Sequence, residues 1–157
     1  MSIDGWHRFF YYEVSPVDHG KAFPFLSSVK RPRLTVTLRN VTNEEQCFAI
    51  VDSGADYCLF PLSLRAKLGL RMEDSRPVSG IGGYGSSYDE GQDVLFWPLV
   101  LEIGSGLSIS TVVGFTERQD EVGFGILGQL GFFNEVAQVY FDYNAGWFAI
   151  KGKGPAT

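Results

Sequence analysis

One acidic residue stands where it could do chemistry, directly after an apolar run. Phe48 to Val51 precede Asp52, and Ser53 and Gly54 follow it. A carboxylate at the end of a buried strand is costly unless neighbouring groups hydrogen-bond to it. A serine hydroxyl and a backbone N–H at a glycine turn can supply such bonds. The triplet is thus a candidate site, although an isolated triplet of this kind more often marks an Asp that merely begins a turn.

The scarcity of histidine and cysteine favours catalysis by carboxylates. His7 and His19 are the only histidines, and Cys47 and Cys58 are the only cysteines. They show no metal-ligand spacing, so we expect no metal site and no cofactor. So few histidines also disfavour a Ser-His-Asp or Cys-His enzyme. We expect the cysteines to be reduced thiols, with Cys58 a buried structural residue rather than a redox-sensitive one near the site.

Short strands must position Asp52. Alternating apolar and polar residues predict a hairpin of strands at 34–38 and 46–51. The 19 glycines and the many aromatic residues favour an all-β fold. Further strands are expected at 8–14, 92–103, 107–115, 136–142 and 147–150, helices at 61–69 and 129–135, and a charged loop at 116–122. Pro98, inside a predicted strand, indicates an edge or a bulge.

Two further segments follow the Asp52 run in the chain. The glycine-dense Gly80-Ile81-Gly82-Gly83-Tyr84 comes first, and the apolar Ile126-Leu127-Gly128 comes later. Together with Asp52-Ser53-Gly54-Ala55-Asp56, and in this order, they resemble the three motifs of the retropepsin-like (retroviral-type) aspartic proteases. The resemblance spans residues 33–150. Its layout is closest to that of short cellular and prokaryotic members.

The resemblance implies a fold and a role for each motif. The fold would be a closed, mostly antiparallel acid-protease-type barrel with one or two short helices. Asp52 would be catalytic, and Ser53, Gly54, Ala55 and Asp56 would support the active-site loop. The segment Gly80, Ile81, Gly82, Gly83 and Tyr84 would be the flap. Ile126, Leu127 and Gly128 would brace the catalytic loop.

The same resemblance implies a two-chain enzyme. The sequence holds one Asp-Ser-Gly triplet and no second one. A working site would therefore take one Asp52 from each chain of a homodimer. The expected activity is aspartic endopeptidase cleavage of a peptide or protein substrate. Two alternatives stay open: a non-catalytic peptide-binding or assembly module of the same fold, and an unrelated small β-barrel that binds an apolar ligand.

The sequence departs from the viral pattern in several places. Gln129 stands where viral enzymes commonly have an arginine that pairs with the acid at the Asp56 position. Asp56 could instead cap a turn or contact Arg65 or Arg71. The 61–69 helix, the 136–150 hairpin and the 1–30 arm are also additions. The hairpin or the arm could build the dimer, and the arm could equally be a propeptide-like cover or a partner-binding tail.

Chain length and net charge limit the number of domains and the kinds of partner. A chain of 157 residues is sized for one domain. We divide it into an N-terminal arm (1–30), a retropepsin-like domain (31–151) and a frayed tail (152–157). The net charge of −5 disfavours nucleic acid as a partner. No apolar run is long enough to span a membrane, and the first residues do not resemble a secretion signal, so we expect a cytoplasmic protein.

Overall fold

The structure is a computed structural model that describes residues 4–15, 21–78 and 94–154. Twelve strands, two short helices and a single 3₁₀ turn occupy these ranges. The strands are β1 Trp6–Phe10, β2 Tyr12–Val14, β3 Val29–Arg31, β4 Arg33–Arg39, β5 Glu44–Val51, β6 Leu59–Pro61, β7 Arg76–Val78, β8 Val94–Ile103, β9 Leu107–Thr116, β10 Gly125–Leu127, β11 Val136–Asp142 and β12 Trp147–Gly152. The helices are α1 Ser63–Lys67 and α2 Glu117–Val122, and the 3₁₀ turn is Met72–Asp74.

Six strands close into a barrel. Their order is β4-β5-β10-β6-β9-β8, and β4 pairs with β8 to close the ring. The β5–β10 and β6–β9 pairs are parallel, and the other neighbours are antiparallel. The all-β, closed, mostly antiparallel barrel with two short helices is therefore confirmed.

Alternating side chains fill the barrel. Leu34, Val36 and Leu38 of β4 are buried, while Thr35 between them is exposed. Each such aliphatic side chain contributes about 1.5–3 kcal/mol when it leaves water. The same core contains Trp97, whose indole N–H donates to the Arg71 carbonyl oxygen at 2.7 Å. Burial on one face of each strand fixes the register, because a one-residue slip would expose the whole set.

Pro98 lies at a break in strand pairing. On one side β8 pairs continuously with β9. On the other side β7 ends its pairing at Phe96, and β4 begins at Val100. Pro98 therefore sits where that side of β8 has no ladder partner among the described residues, which suits a residue without an N–H.

The N-terminal residues form part of a second sheet. β1 pairs with β12, and β12 pairs with β11, all antiparallel. The rings of Phe9 and Phe148 stack with centroids 5.4 Å apart, and the Tyr11 N–H donates to the Gly146 carbonyl oxygen at 3.0 Å. The predicted strand at 8–14 is divided between β1 and β2. The first strand of the predicted arm thus shares a sheet with the C-terminal hairpin.

Two local predictions are wrong. Residues 129–135 form turns instead of a helix, because Gly131 adopts a left-handed conformation with φ of 106°. Residues 117–122, expected as a charged loop, form α2. The Thr116 side chain accepts from the Gln119 N–H and caps this helix, and Gly123 ends it in a left-handed conformation. Within the described ranges, no helix has the length and apolarity needed to cross a membrane.

Candidate active site

Asp52 begins the turn that follows β5. Its N–H donates to the Leu127 carbonyl oxygen at 3.0 Å, which anchors the backbone to β10. Its Oδ1 accepts the Gly54 N–H at 2.9 Å, and its carbonyl oxygen accepts the Ala55 N–H at 3.2 Å. The side chain is exposed. The turn therefore presents a carboxylate at the surface with Oδ1 held by the Gly54 N–H, and among the described residues Oδ2 has no hydrogen-bond partner.

Close approaches surround the two glycines of the site, and at Gly128 they require glycine. A Cβ at position 54 would lie 3.2 Å from Oδ1 of Asp52. A Cβ at Gly128 would overlap the Tyr57 carbonyl oxygen and lie 2.7 Å from that of Ala55. Backbone atoms cannot move aside as flexible side chains can. Glycine at position 128 therefore lets the segment after β10 pass directly against the Asp52 loop.

The predicted brace reaches the predicted loop. Ile126 pairs with Ile50 of β5 on one side and with Leu59 of β6 on the other. Leu127 pairs with Val51, the residue before Asp52. A three-residue strand between two neighbours thus fixes the end of β5 and brings Leu127 and Gly128 beside the Asp52 loop.

Gln129 binds the Asp52 loop, and the sequence analysis did not predict this contact. Its N–H donates to the Ala55 carbonyl oxygen at 2.8 Å, and its Nε2 donates to the Ser53 carbonyl oxygen at 2.6 Å. The next residue, Leu130, donates its N–H to the Asp56 carbonyl oxygen at 2.8 Å. The residue that departs from the viral pattern therefore binds the loop by its side-chain amide. Its position directly after Gly128 was the only signal.

Asp56 does not take the partners considered for it. It is exposed, and its carboxylate forms no ion pair or hydrogen bond within the part of the chain that is described. Arg71 pairs with Glu73 and Asp74 instead. Arg65 lies over the Trp97 ring. Among the described residues, Asp56 contacts the site through its backbone carbonyl oxygen, which accepts the Leu130 N–H.

Cys58 supports the loop from the core. It is fully buried, and its Sγ accepts the Gly128 N–H at 3.4 Å. Burial raises the pKa of this thiol to about 12, and the Gly128 N–H offsets part of that rise. A neutral thiol in this place packs as a small apolar group. This agrees with the expectation of a structural cysteine.

The predicted flap, Gly80, Ile81, Gly82, Gly83 and Tyr84, lies outside the described residues. The strands that flank it are described: β7 pairs with β8 from Arg76↔Phe96 to Val78↔Val94. The Phe96 ring packs edge-on against the Tyr57 ring with centroids 5.4 Å apart. The base of the β7–β8 pair thus contacts the Asp52 loop region.

Comparison with known proteins identifies the fold. No protein-family model matches the chain, and no curated protein does. A solved structure, a retropepsin-like aspartic protease from Rickettsia conorii, matches with a TM-score of 0.55 and 12% identity, over 94% of this chain and 95% of that one. EIAV protease in complex with an inhibitor matches with a TM-score of 0.47 and 23% identity, over 64% and 83% of the two chains. The chain has the retropepsin-like acid-protease fold, as its motifs predicted.

Proposed function

We propose that the protein is an aspartic endopeptidase that acts as a homodimer. The observation that carries the proposal is the exposed Asp52 carboxylate, held by the Gly54 N–H on a loop braced from β10. The retropepsin-like fold supports it, and the Rickettsia structure with this fold is described as an aspartic protease. One chain supplies a single such carboxylate, so the proposed site takes one Asp52 from each of two copies.

The chemistry follows from two facing carboxylates. Two such groups a few ångströms apart cannot both ionise cheaply, so the pair holds one proton. The ionised Asp52 acts as general base on a water molecule, and the protonated one donates to the oxygen of the scissile carbonyl. Water attacks the carbonyl carbon, and the tetrahedral intermediate collapses with cleavage of the C–N bond. No bond forms between enzyme and substrate.

The remaining site residues position this pair. Gly54 holds one oxygen of each carboxylate through its N–H, and the Ser53 hydroxyls support the two loops. By the resemblance, the segment from Gly80 to Tyr84, which lies outside the described residues, would close over an extended peptide and exclude water. The substrate is therefore a peptide or protein segment that lies as a strand across the two chains.

The test is cleavage of a diverse peptide library from pH 3 to 8. Wild type is compared with Asp52→Asn, and Glu117→Gln in α2 serves as the control that also loses one carboxylate. We expect cleavage by wild type and the control only, with inhibition by a peptide-like aspartic-protease inhibitor. A folded dimer that cleaves nothing would instead support the non-catalytic binding module, and cleavage by Asp52→Asn would refute the site.

A mixing experiment tests whether two chains share the site. Wild type is allowed to exchange subunits with an equal amount of Asp52→Asn. If each site needs two intact Asp52 residues, half of the wild-type chains enter inactive mixed dimers, and activity falls to about half. Unchanged activity would show that one chain suffices.

A further inference from the structure

Arg33, at the start of β4, is an arginine without a polar partner. Among the described residues its guanidinium forms no ion pair and no hydrogen bond. Of its nitrogens only Nε is buried, and the residue as a whole is partly exposed, so the terminal nitrogens face solvent. Buried polar atoms nearly always have a hydrogen-bond partner, and this exception therefore calls for a physical explanation.

Two aromatic rings hold this side chain in place. The Cζ atom of Arg33 lies 4.4 Å from the ring centroid of Tyr12 and 4.0 Å from that of Phe48. Tyr12 belongs to β2 and Phe48 to β5, so the N-terminal arm and the barrel both contribute. The quadrupole of an aromatic ring attracts a cation placed over it. The rings thus fix the guanidinium but leave its terminal N–H groups without an acceptor.

No neighbouring carboxylate compensates this charge within the described ranges. Glu13 follows Tyr12 in β2, and successive residues of a strand point to opposite faces. The Asp52 carboxylate accepts the Gly54 N–H and forms no ion pair with Arg33. The chain carries a net charge of −5, so the unpaired arginine does not result from an overall shortage of acids.

Strand pairing places Arg33 beside the candidate active site. Arg33 is opposite Ile50 in the β4–β5 ladder, and the Val51 N–H donates to the Pro32 carbonyl oxygen at 2.9 Å. Asp52 follows directly after Val51. Two residues along a strand cover about 7 Å and paired strands lie about 5 Å apart, so the Cα atoms of Arg33 and Asp52 are about 8 Å apart. An arginine side chain can reach a peptide bound at Asp52 from this position.

We infer that Arg33 binds a carboxylate side chain of the peptide substrate and so selects substrates with an acidic residue near the cleaved bond. The inference rests on the proposed function and names a specificity-determining residue for it. An extended peptide advances about 3.3 Å per residue, so the acidic residue would lie about two or three positions from that bond. The terminal N–H groups suit the two oxygens of a carboxylate, and a guanidinium already immobilised by the rings loses little freedom on binding it.

A purely structural role for Arg33 gives a different expectation. If the side chain only fastened β2 to the barrel, its ring contacts would matter, but its charge would not select a substrate. The two roles are therefore separated by the charge preference for the peptide, and not by stability or overall activity.

Peptide binding measures this charge preference without cleavage. Peptides from the library are made in pairs that differ only by glutamate or glutamine at one position, and each is titrated against full-length Asp52→Asn protein by fluorescence anisotropy. We expect the glutamate peptide to bind about tenfold more tightly at one position. Adding Arg33→Gln should abolish the preference, and Arg33→Lys should retain most of it. Adding Arg33→Glu should reverse it in favour of a lysine peptide.

Arg39→Gln is the matched control. Arg39 lies on the same strand and the same face, about 20 Å from Arg33, and already pairs with Glu44 and Glu102. This variant removes an equal positive charge, so the glutamate preference should survive it. Equal losses in Arg33→Gln and Arg39→Gln would show a general effect of charge and overturn the inference.

Cleavage by protein with an intact Asp52 separates this inference from the proposed function. A glutamate preference that depends on Arg33, in cleavage as in binding, supports both. Asp52-dependent cleavage with no glutamate preference, or with one that Arg33→Gln retains, overturns the inference and leaves the peptidase standing. An Arg33-dependent preference in binding without any cleavage supports the recognition role and refutes the peptidase. Folded protein that neither binds nor cleaves the peptides refutes both.

Discussion

The side-chain amide of Gln129 donates a hydrogen bond of 2.6 Å to the carbonyl oxygen of Ser53, across 76 positions of sequence. The bond attaches the turn after β10 to the residue next to Asp52. It does so with a neutral group, whereas an arginine at this place would bring a charge and seek a carboxylate. The exposed Asp56 is consequently left without an ion pair in the described part of the chain.

Replacing Gln129 should reduce the proposed peptidase activity. Gln129→Leu loses the bond to Ser53, which is worth on the order of 1 kcal/mol, so kcat should fall about fivefold. Gln129→Glu should also lose it, since a carboxylate cannot donate, while Gln129→Arg keeps a donor and should retain most activity. Steady-state kinetics on all three measures this. Equal activity in Leu and Arg variants would show that the bond does not matter.

Gly128→Ala should be strongly destabilising. The new Cβ would overlap the Tyr57 carbonyl oxygen, and the backbone would have to shift, at a cost of about 3 kcal/mol. Gly154→Ala is the matched control, because no atom of the described residues lies within 4 Å of its added Cβ. Urea unfolding compares the two. A Gly128→Ala variant as stable as the control would contradict the close approach.

The N-terminal strand should contribute to folding stability. Phe9 packs on Phe148, whereas its neighbour Phe10 points away and is 75% exposed. Phe9→Ala should lower the free energy of unfolding by about 2 kcal/mol. Phe10→Ala should change it by less than about 0.5 kcal/mol. Similar losses in both variants, measured by thermal or urea unfolding, would argue against the packed β1.

The two thiols should differ in reactivity. The pKa of Cys58 is raised to about 12 by burial, and that of the half-buried Cys47 is also raised by burial. Native protein at pH 8 should therefore show no reaction of Cys58 with a disulfide reagent until it unfolds. Cys47→Ser and Cys58→Ser assign the signals. Rapid labelling of Cys58 in folded Cys47→Ser protein would contradict its burial.

Alkaline pH should weaken folding through the same thiol. The folded pKa of Cys58, about 12, lies above the ordinary value of 9.0, so the unfolded chain loses this proton first. The stabilising contribution is complete below about pH 9 and is lost as pH rises towards 12. Comparing urea unfolding of wild type and Cys58→Ala between pH 8 and 11 measures it. An identical slope in both would exclude this contribution.

The sequence predicted elements that local patterns determine. The hairpin of β4–β5 follows from period-two alternation around a polar turn, and those of β8–β9 and β11–β12 have glycine in their turns. The helix α1 follows from Pro61 before it and Gly69 after it. The helix expected at residues 129–135 does not form, because Gly131 adopts a left-handed conformation there. The helix α2 was not predicted, because its run of charged residues was interpreted as a loop and Thr116 was not recognised as a helix cap.

Contacts between residues that are distant in the sequence could not be predicted from local patterns. The pairing of β1 with β12 and the bond from Gln129 to Ser53 depend on the closed fold, not on neighbouring residues. The motifs located the Asp52 loop and its brace because a glycine and short apolar runs are needed there. They gave no sign that a glutamine side chain would complete the contact.

The position of β10 also decides when the site can form. This strand lies between β5 and β6, yet it follows them by a long stretch of chain. During synthesis, the bond from the Asp52 N–H to the Leu127 carbonyl oxygen cannot form until Gly125–Leu127 has been made. Long-range contacts of this kind form slowly and cooperatively. A nascent or truncated chain that lacks β10 therefore carries Asp52 without the strand that anchors its backbone.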